Sequence, residues 1–110
     1  MQLSYLYAPV TDLEAAADFY RDVLGWEETW REGETTIAFA AREGDAQVML
    51  DTTAWPAGPM YLVPDLDAWL AEHAGLEATI VRTEIPGGAV AGFADPAGNA
   101  FYVFDMAPEG

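Results

Sequence analysis

The pattern of apolar and polar positions changes its period along the chain, and it does so twice in the same order. Each half begins with a short apolar run, continues with apolar residues at helical spacing, and ends with three strand-like runs separated by turns. This order predicts a βαβββ unit over residues 1–51, a linker over 52–58 and a second βαβββ unit over 59–110. The repeat predicts a single α+β domain.

The first unit is predicted to open with a strand over 5–10, and Thr11 with Glu14 predicts a capping box at the start of its helix. Gly25 is expected to end that helix. Its predicted apolar face comprises Leu13, Ala16, Ala17, Tyr20, Val23 and Leu24. The strands that follow are predicted over 26–31, 35–41 and 46–51, with turns at Gly33 and Gly44.

The second unit is predicted to repeat this order from a strand over 60–63. The helix starts at Asp12 and Asp65 lie 53 residues apart, which is the spacing expected of an internal repeat. Gly75 is expected to end the second helix. The remaining strands are predicted over 78–84, 89–94 and 100–105, with turns at 86–88 and 95–99.

The charge of the chain is strongly negative. Nineteen acidic residues face four arginines and no lysine, for a formal net charge of −15. Such a surface repels phosphate backbones and attracts cationic ligands, although acidity alone also serves solubility. We therefore expect no nucleic-acid partner.

The rest of the composition predicts an ordinary core and no covalent cross-links. The hydrophobic fraction of 52% is ample for a core, and the absence of cysteine excludes disulfides and thiolate chemistry. No apolar run reaches the roughly 20 residues that a membrane helix needs, and the first residues carry no basic segment of a signal peptide. We expect a cytoplasmic protein with no membrane partner.

Three segments together resemble a known family. They are Val10-Thr11-Asp12-Leu13-Glu14, Phe19-Tyr20-Arg21-Asp22-Val23-Leu24-Gly25 and Asp95-Pro96-Ala97-Gly98-Asn99. The chain resembles the vicinal oxygen chelate superfamily, which includes glyoxalase I, extradiol dioxygenases and bleomycin-resistance proteins. The resemblance implies a cup-shaped, mostly antiparallel eight-stranded sheet with the helices on its outer face and a ligand site in the concavity. It also implies a homodimer.

The resemblance further implies where a metal would be held, since metal-dependent members place one ligand on each of four strands. The matching positions are Tyr5, Met49 or Asp51, Gly58 and Tyr102. At most one of these is a carboxylate, whereas a catalytic transition metal generally needs about three protein ligands. We expect no metal, no cofactor and no catalytic residue.

The side chains expected to line the implied concavity are mostly aromatic, and two are methionines. Period-two alternation turns Leu6, Ala8 and Val10 towards the core and their neighbours towards the cup. The residues expected to contact a ligand are Tyr5, Tyr7, Trp30, Gln47, Met49, Asp51, Trp55, Met60, Tyr102 and Phe104. Such a lining suits stacking on a flat molecule, and a partly buried Asp51 favours a ligand cation. Simple packing of the same side chains is an equal alternative.

The leading hypothesis is a non-enzymatic binding protein of the bleomycin-resistance type. It would sequester a cationic or aromatic small molecule, such as an antibiotic. One alternative is a metal-dependent lyase, isomerase or dioxygenase that uses Asp51 with Glu43 or Asp105. Another is an interaction or regulatory module whose cup has closed.

Overall fold

A computed structural model describes residues 1–41 and 46–106, so the predicted turn at Gly44 lies outside the described residues. The chain divides into two compact units. The N-terminal unit is Ser4–Ala57, and the C-terminal unit is Met1–Leu3 together with the chain from Gly58 onward. Each unit combines a helix with a sheet in the order βαβββ, which confirms the predicted α+β class.

The first βαβββ set differs from the predicted bounds mainly at its first strand, which begins three residues earlier. Its elements are β1 Gln2–Pro9, α1 Leu13–Asp18, a π-helical turn Phe19–Val23, β2 Glu27–Glu32, β3 Thr36–Ala40 and β4 Gln47–Asp51. The strands lie in the order β2-β3-β4-β1. The pair β1–β4 is parallel, whereas β2–β3 and β3–β4 are antiparallel.

The second set repeats this arrangement. Its elements are β5 Gly58–Leu62, α2 Leu66–Glu72, β6 Ile80–Ile85, β7 Gly88–Ala94 and β8 Ala100–Met106. The strands lie in the order β5-β8-β7-β6, again with the first and last strands of the set paired in parallel. The helix ends at Glu72, before Gly75, because His73 leaves the helical conformation.

The helix starts are capped by aspartates, and the predicted capping box at Thr11 is wrong. Asp12 takes the extended N-cap conformation, and its side chain accepts a hydrogen bond from the Ala15 backbone N–H. Asp65 caps α2 in the same way, accepting from Ala68. An aspartate at either start satisfies an orphan N–H as well as a threonine would, and the carboxylate also favours the positive end of the helix.

This assignment predicts which of two adjacent substitutions destabilises the protein. Asp12→Ala removes the cap and is expected to lower the free energy of unfolding by about 1 kcal/mol. The matched control Thr11→Ala is expected to change it by less than about 0.5 kcal/mol, because Thr11 lies exposed outside the helix. Urea denaturation of both variants measures this difference. A larger loss for Thr11→Ala would contradict the assignment.

The end of the first helix corrects two further predictions. Leu24 donates its backbone N–H to the Phe19 carbonyl at 3.1 Å, a five-residue span that widens the last turn. The widened turn changes the phase of the residues after Tyr20. Val23 is consequently 69% exposed and Leu24 is exposed as well, although helical periodicity placed both in the core. Tyr20 stays inside and stacks on Phe39.

Each unit has its own core between its helix and one face of its sheet. In the N-terminal unit the core comprises Leu13, Ala17, Ile37, Phe39 and Leu50, with Ala8, Val10 and Trp26 among the side chains packed around it. In the C-terminal unit it comprises Val63, Leu66, Ala89, Ala91, Phe93 and Val103. Leu6, predicted to be inside, is 47% exposed. Neither helix of the described residues has the length and apolar character needed to span a membrane.

Candidate functional site

The N-terminal unit carries most of the predicted ligand residues on the sheet face away from α1, which we call the site face. Strand pairing arranges them in three rows across the sheet. The acid row is Pro9, Asp51, Thr36 and Glu32; the aromatic row is Tyr7, Met49, Ala38 and Trp30; the amide row is Tyr5, Gln47, Ala40 and Glu27. Because side chains alternate along a strand, the core residues lie on the opposite face.

Asp51 is the centre of the acid row and is only 7% exposed. One carboxylate oxygen, Oδ1, accepts from the Thr36 hydroxyl at 2.6 Å. The other, Oδ2, accepts from the Tyr7 hydroxyl at 2.5 Å and from the Thr53 backbone N–H at 3.1 Å. Burial by itself would raise the pKa of Asp51, but these hydrogen bonds outweigh it and hold the pKa below its usual value. The side chain is therefore ionised at neutral pH.

The lowered pKa predicts how stability depends on pH. A carboxyl whose folded pKa is below its unfolded value of about 3.9 stabilises the fold above that pH, and the contribution is lost as the pH falls through the folded pKa. We expect the difference in unfolding free energy between the unaltered protein and Asp51→Asn to be constant from about pH 7 to pH 5 and to shrink towards about pH 2. Chemical denaturation across this range measures it. A difference that does not change with pH would contradict the ionised state.

Within the described residues, no arginine forms an ion pair with Asp51. The described arginines pair elsewhere: Arg21 with Asp18 and Glu28, Arg31 with Glu14 and Glu28, and Arg82 with Asp67 and Glu84. Asp51 is thus a buried negative charge held by neutral donors. Buried charges are ordinarily paired with an opposite charge, and among the described residues this carboxylate has only neutral hydrogen-bond donors.

The segment after Asp51 places an aromatic ring beside the acid row. The rings of Trp55 and Tyr7 lie 5.9 Å apart and are inclined by 31°. Ala54 has a φ of 68°, and no other described residue except glycine has a positive φ. Such strain persists only where surrounding contacts hold it, and here Thr53 is bound to Asp51 on one side while Trp55 packs on Tyr7 on the other.

Two residues of the amide row, Tyr5 and Gln47, form hydrogen bonds with side chains of β2. The Trp30 indole N–H donates to the Tyr5 hydroxyl at 3.0 Å, and the two rings meet edge to face. The Thr29 hydroxyl lies 2.5 Å from the Gln47 carbonyl oxygen. Tyr5, Trp30 and Gln47 are each half-buried, as are Met49 and Trp55. These five side chains are therefore partly exposed to solvent, whereas Tyr7 and Asp51 are buried.

The remaining predicted site residues, Met60, Tyr102 and Phe104, lie on the face of the C-terminal sheet away from its core. All three are buried, and Tyr102 is 1% exposed. Burial raises the pKa of the Tyr102 phenol. Their role in contacting a ligand stays a prediction.

The two units differ in chemistry at equivalent positions. The pair Tyr7–Met49 corresponds in the repeat to Met60–Tyr102, because each joins the first and last strands of its unit. The pair Thr36–Asp51 corresponds likewise to Val90–Phe104. The fold therefore accepts apolar side chains at the positions of Thr36 and Asp51. This comparison shows that the polar acid row is not a requirement of the βαβββ unit.

The residues at the four implied metal positions do not fit a divalent metal site. Tyrosine, methionine and glycine are not usual zinc ligands, and Asp51, the alternative to Met49, would be the one carboxylate. That carboxylate already accepts from Tyr7, Thr36 and Thr53, and a β-carbon at Gly58 would lie only 2.3 Å from the Ala100 carbonyl oxygen. Asp105, one proposed alternative ligand, instead accepts from the Leu66 and Ala89 backbone N–H groups. Glu43, the other, lies outside the described residues. Residues 1–41 and 46–106 contain no cluster of three or more metal-ligating His, Asp or Glu side chains.

A separate groove of about 460 Å³ lies in the C-terminal unit, outside the predicted site. It is lined by Met1, Pro59, Tyr61, Asp95, Asn99, Ala100 and Phe101. Phe101 packs on the core side of its sheet, so the groove is on the opposite face from Tyr102. The Asp95 carboxylate accepts hydrogen bonds within its own turn, from the Ala97 and Asn99 backbone N–H groups.

Comparison of the sequence with protein families gives one extensive match. The family model described as Glyoxalase/Bleomycin resistance protein/Dioxygenase superfamily matches residues 2–103. No curated protein sequence matches the chain significantly.

Solved structures resemble the chain over more than nine-tenths of its length. Methylmalonyl-CoA epimerase from Mycobacterium tuberculosis has a TM-score of 0.72 at 19% identity, over 97% of this chain and 89% of that one. A glyoxalase/bleomycin resistance protein/dioxygenase superfamily member from Vibrio splendidus 12B01 has a TM-score of 0.65 at 17% identity, over 93% and 96%. Homoprotocatechuate 2,3-dioxygenase from Arthrobacter globiformis has 0.65 at 26%, over 97% of this chain and 36% of that one. These similarities confirm the predicted fold.

Proposed function

The chain belongs to the Glyoxalase/Bleomycin resistance protein/Dioxygenase superfamily, and we propose that it is a non-enzymatic member that binds a cationic or aromatic small molecule on the site face. The observation that carries the proposal is Asp51, a buried and ionised carboxylate without an ion-pair partner among the described residues, near the buried ring of Tyr7 and the half-buried ring of Trp55. The poor fit of the residues at the four implied metal positions supports the non-enzymatic part of the proposal.

Binding on this face needs no bond to be made or broken. A flat ligand stacks between the half-buried rings of Trp30 and Trp55 and contacts the flexible side chain of Met49. A ligand cation faces Asp51, whose charge acts at short range in a poorly hydrated environment. The net charge of −15 raises the encounter rate of any cation with the protein.

The test is a fluorescence titration with two probes of the same shape, 4-phenylbenzylamine and 4-phenylbenzyl alcohol. The four tryptophans provide the signal, and two of them, Trp30 and Trp55, belong to the site face. We expect the amine to quench tryptophan emission and to raise the melting temperature, with an affinity about tenfold or more above that of the alcohol. Absence of quenching and of a thermal shift with the amine would overturn the proposal.

A matched pair of variants separates local from long-range electrostatics in this titration. Asp51→Asn and Asp22→Asn each remove one negative charge, but Asp22 is exposed at the end of the first helix. We expect Asp51→Asn to abolish the preference for the amine and Asp22→Asn to preserve it. Equal effects of the two substitutions would mean that net charge alone attracts the amine.

The proposal extends to assembly, location and role. We propose a homodimer in the cytoplasm, supported by the family resemblance, and an antibiotic as one candidate ligand. Light scattering on the purified 11.9 kDa chain should give twice the monomer mass. A monomer at micromolar concentration would remove the homodimer from the proposal without affecting the binding site.

A further inference from the structure

We infer that the groove in the C-terminal unit is a second binding site, for a small aromatic molecule that carries an amidinium group. The ring of the ligand stacks on Tyr61 and Phe101, and the amidinium faces Asp95 and Asn99, all of which line the groove. The volume of about 460 Å³ lies within the range of small-molecule pockets. Because the groove and the site face belong to different units, this inference does not depend on the proposed function.

The groove lies where the C-terminal unit departs from the repeat. Pairing of the first and last strands makes Tyr61 and Phe101 equivalent to Ala8 and Val48 of the N-terminal unit. Ala8 and Val48 are smaller and pack against the core of their unit. The two aromatic side chains are half-buried, and no residue of α2 lines the groove with them. The second unit therefore has larger apolar side chains at this place than the repeat requires.

The helical segment is also shorter in the second unit. After α1, a π-helical turn continues the helix to Val23, and Tyr20 of this turn packs against the N-terminal core. The 53-residue spacing of the helix starts makes His73 the equivalent of Tyr20. His73 lies after the end of α2, where its ring stacks on Trp69. The side chain that covers the sheet in the first unit thus has no counterpart among the residues that line the groove, which leaves an apolar surface open to a ligand.

The two aromatic rings form a supported surface for a flat ligand. The ring centroids of Tyr61 and Phe101 are 6.5 Å apart and the ring planes are inclined by 70°, so the rings meet edge to face. Phe101 also stacks on Phe93, with 5.6 Å between the centroids, and Phe93 is buried. A ring supported in this way loses little freedom when a ligand binds, and an aromatic ligand gains both apolar contact and stacking.

The polar end of the groove offers hydrogen-bond acceptors. Asp95 is exposed, and hydrogen bonds from the Asn99 side chain and from backbone N–H groups of its turn hold the pKa of the carboxyl below its usual value. The ionised carboxylate cannot donate, so the Asn99 Nδ2 atom, 3.0 Å from Asp95 Oδ2, is the amide atom that faces it. The Asn99 side-chain carbonyl oxygen is consequently turned away from Asp95, and no described residue donates to it.

No cation among the described residues forms an ion pair with Asp95. The described arginines pair with other acids. Met1 also lines the groove, but its ammonium group forms no ion pair with Asp95. An amidinium is planar and donates N–H groups from two adjacent nitrogens, which suits a carboxylate and a neighbouring carbonyl oxygen better than a single ammonium does. A flat cation also packs favourably on aromatic rings.

The experiment titrates the protein with benzamidine and with benzamide, which has the same shape and no charge. Asn99 is the only asparagine, so nitrogen-15-labelled asparagine gives one side-chain amide signal in a nuclear magnetic resonance spectrum, at the groove itself. We expect benzamidine to move this signal with an affinity about fivefold above that of benzamide at low ionic strength.

Three variants separate the local charge, the aromatic ring and the net charge of the chain. Asp95→Ser removes the charge but keeps a short side-chain oxygen that accepts N–H groups of the turn, and it should abolish the preference for benzamidine. Tyr61→Leu removes the ring and should weaken the binding of both probes about equally. Asp22→Ser removes an exposed charge of the N-terminal unit and should preserve the preference.

Three results would overturn the inference. The first is an Asn99 signal that does not move, including the case in which benzamidine moves only the indole N–H signals of Trp30 and Trp55 on the site face. The second is a preference for benzamidine that persists in Asp95→Ser. The third is an equal loss of preference in Asp95→Ser and Asp22→Ser, because net charge alone would then attract the cation. None of these results overturns the proposed function, which is tested with 4-phenylbenzylamine on the site face.

Discussion

Asp51→Ala is expected to lower the free energy of unfolding by about 3 kcal/mol, because it removes the common acceptor of three donors in a buried place. The hydroxyls of Tyr7 and Thr36 would be left without this partner, and Tyr7 is only 3% exposed. Guanidinium denaturation at neutral pH measures the loss. The exposed control Asp22→Ala should change stability by less than about 0.5 kcal/mol.

The repeat suggests how this loss can be recovered. The C-terminal unit has Met60, Val90 and Phe104 at the positions equivalent to Tyr7, Thr36 and Asp51. Replacing both sides of a buried hydrogen bond by apolar groups is far less unfavourable than removing one side. The triple variant Tyr7→Phe/Thr36→Val/Asp51→Leu should therefore be more stable than Asp51→Ala alone. If Asp51→Ala lost less than about 1 kcal/mol, the acid row would not be the buried network described.

Gly58→Ala is expected to have the second large effect, a loss of about 3 kcal/mol or failure to fold. A β-carbon at position 58 would lie 2.3 Å from the Ala100 carbonyl oxygen and 2.9 Å from its carbon, both backbone atoms that cannot move without disturbing β8. Gly75→Ala is the matched control, because a β-carbon there meets no atom within 4 Å. Thermal unfolding of both variants measures the contrast.

The Gly58 prediction also bears on the chemistry of the site. Position 58 is one of the four places where the family resemblance implies a metal ligand, and the close approach of Ala100 leaves no room there for a ligating side chain. A fully stable Gly58→Ala variant would show that the strand can move aside. It would then reopen the alternative of a metal-dependent enzyme.

The sequence predicts the order of elements well because the apolar periodicity and the turn glycines are local signals. Gly33, Gly87 and Gly98 have the positive φ values that their turns require. The errors arise where tertiary structure decides. The exposure of Val23 follows from a widened helical turn, and no residue in this segment indicates that turn in the sequence. The capping aspartates were visible in the sequence, but Thr11 offered an equally good local motif.

The sequence predicts which residues lie on the site face, but it does not predict the hydrogen bonds between them. Alternation along β1 and β4 is enough to bring Tyr5, Gln47 and Asp51 to one face. The partners of Asp51 were missed, because Thr36 belongs to another strand and strand register cannot be read from one sequence. Thr29 was missed for the same reason. The burial of Tyr102 and Phe104 also depends on packing that periodicity does not encode.

The three alternatives for function now differ in what they require. A metal-dependent enzyme requires ligands that residues 1–41 and 46–106 do not group together. A closed interaction module is consistent with the burial of Met60, Tyr102 and Phe104. Small-molecule binding requires the half-buried side chains of the N-terminal unit, which include Trp30 and Trp55. The last two alternatives make opposite predictions for ligand contact at these tryptophans.

The measurement that tests the central claim most directly is a nuclear magnetic resonance titration of the four tryptophan indole N–H signals with 4-phenylbenzylamine. Trp30 and Trp55 belong to the site face, whereas Trp26 and Trp69 pack on the helix-side cores. We predict that the signals of Trp30 and Trp55 move with increasing amine while those of Trp26 and Trp69 stay in place. No movement of any signal, or movement confined to Trp26 and Trp69, would contradict the account.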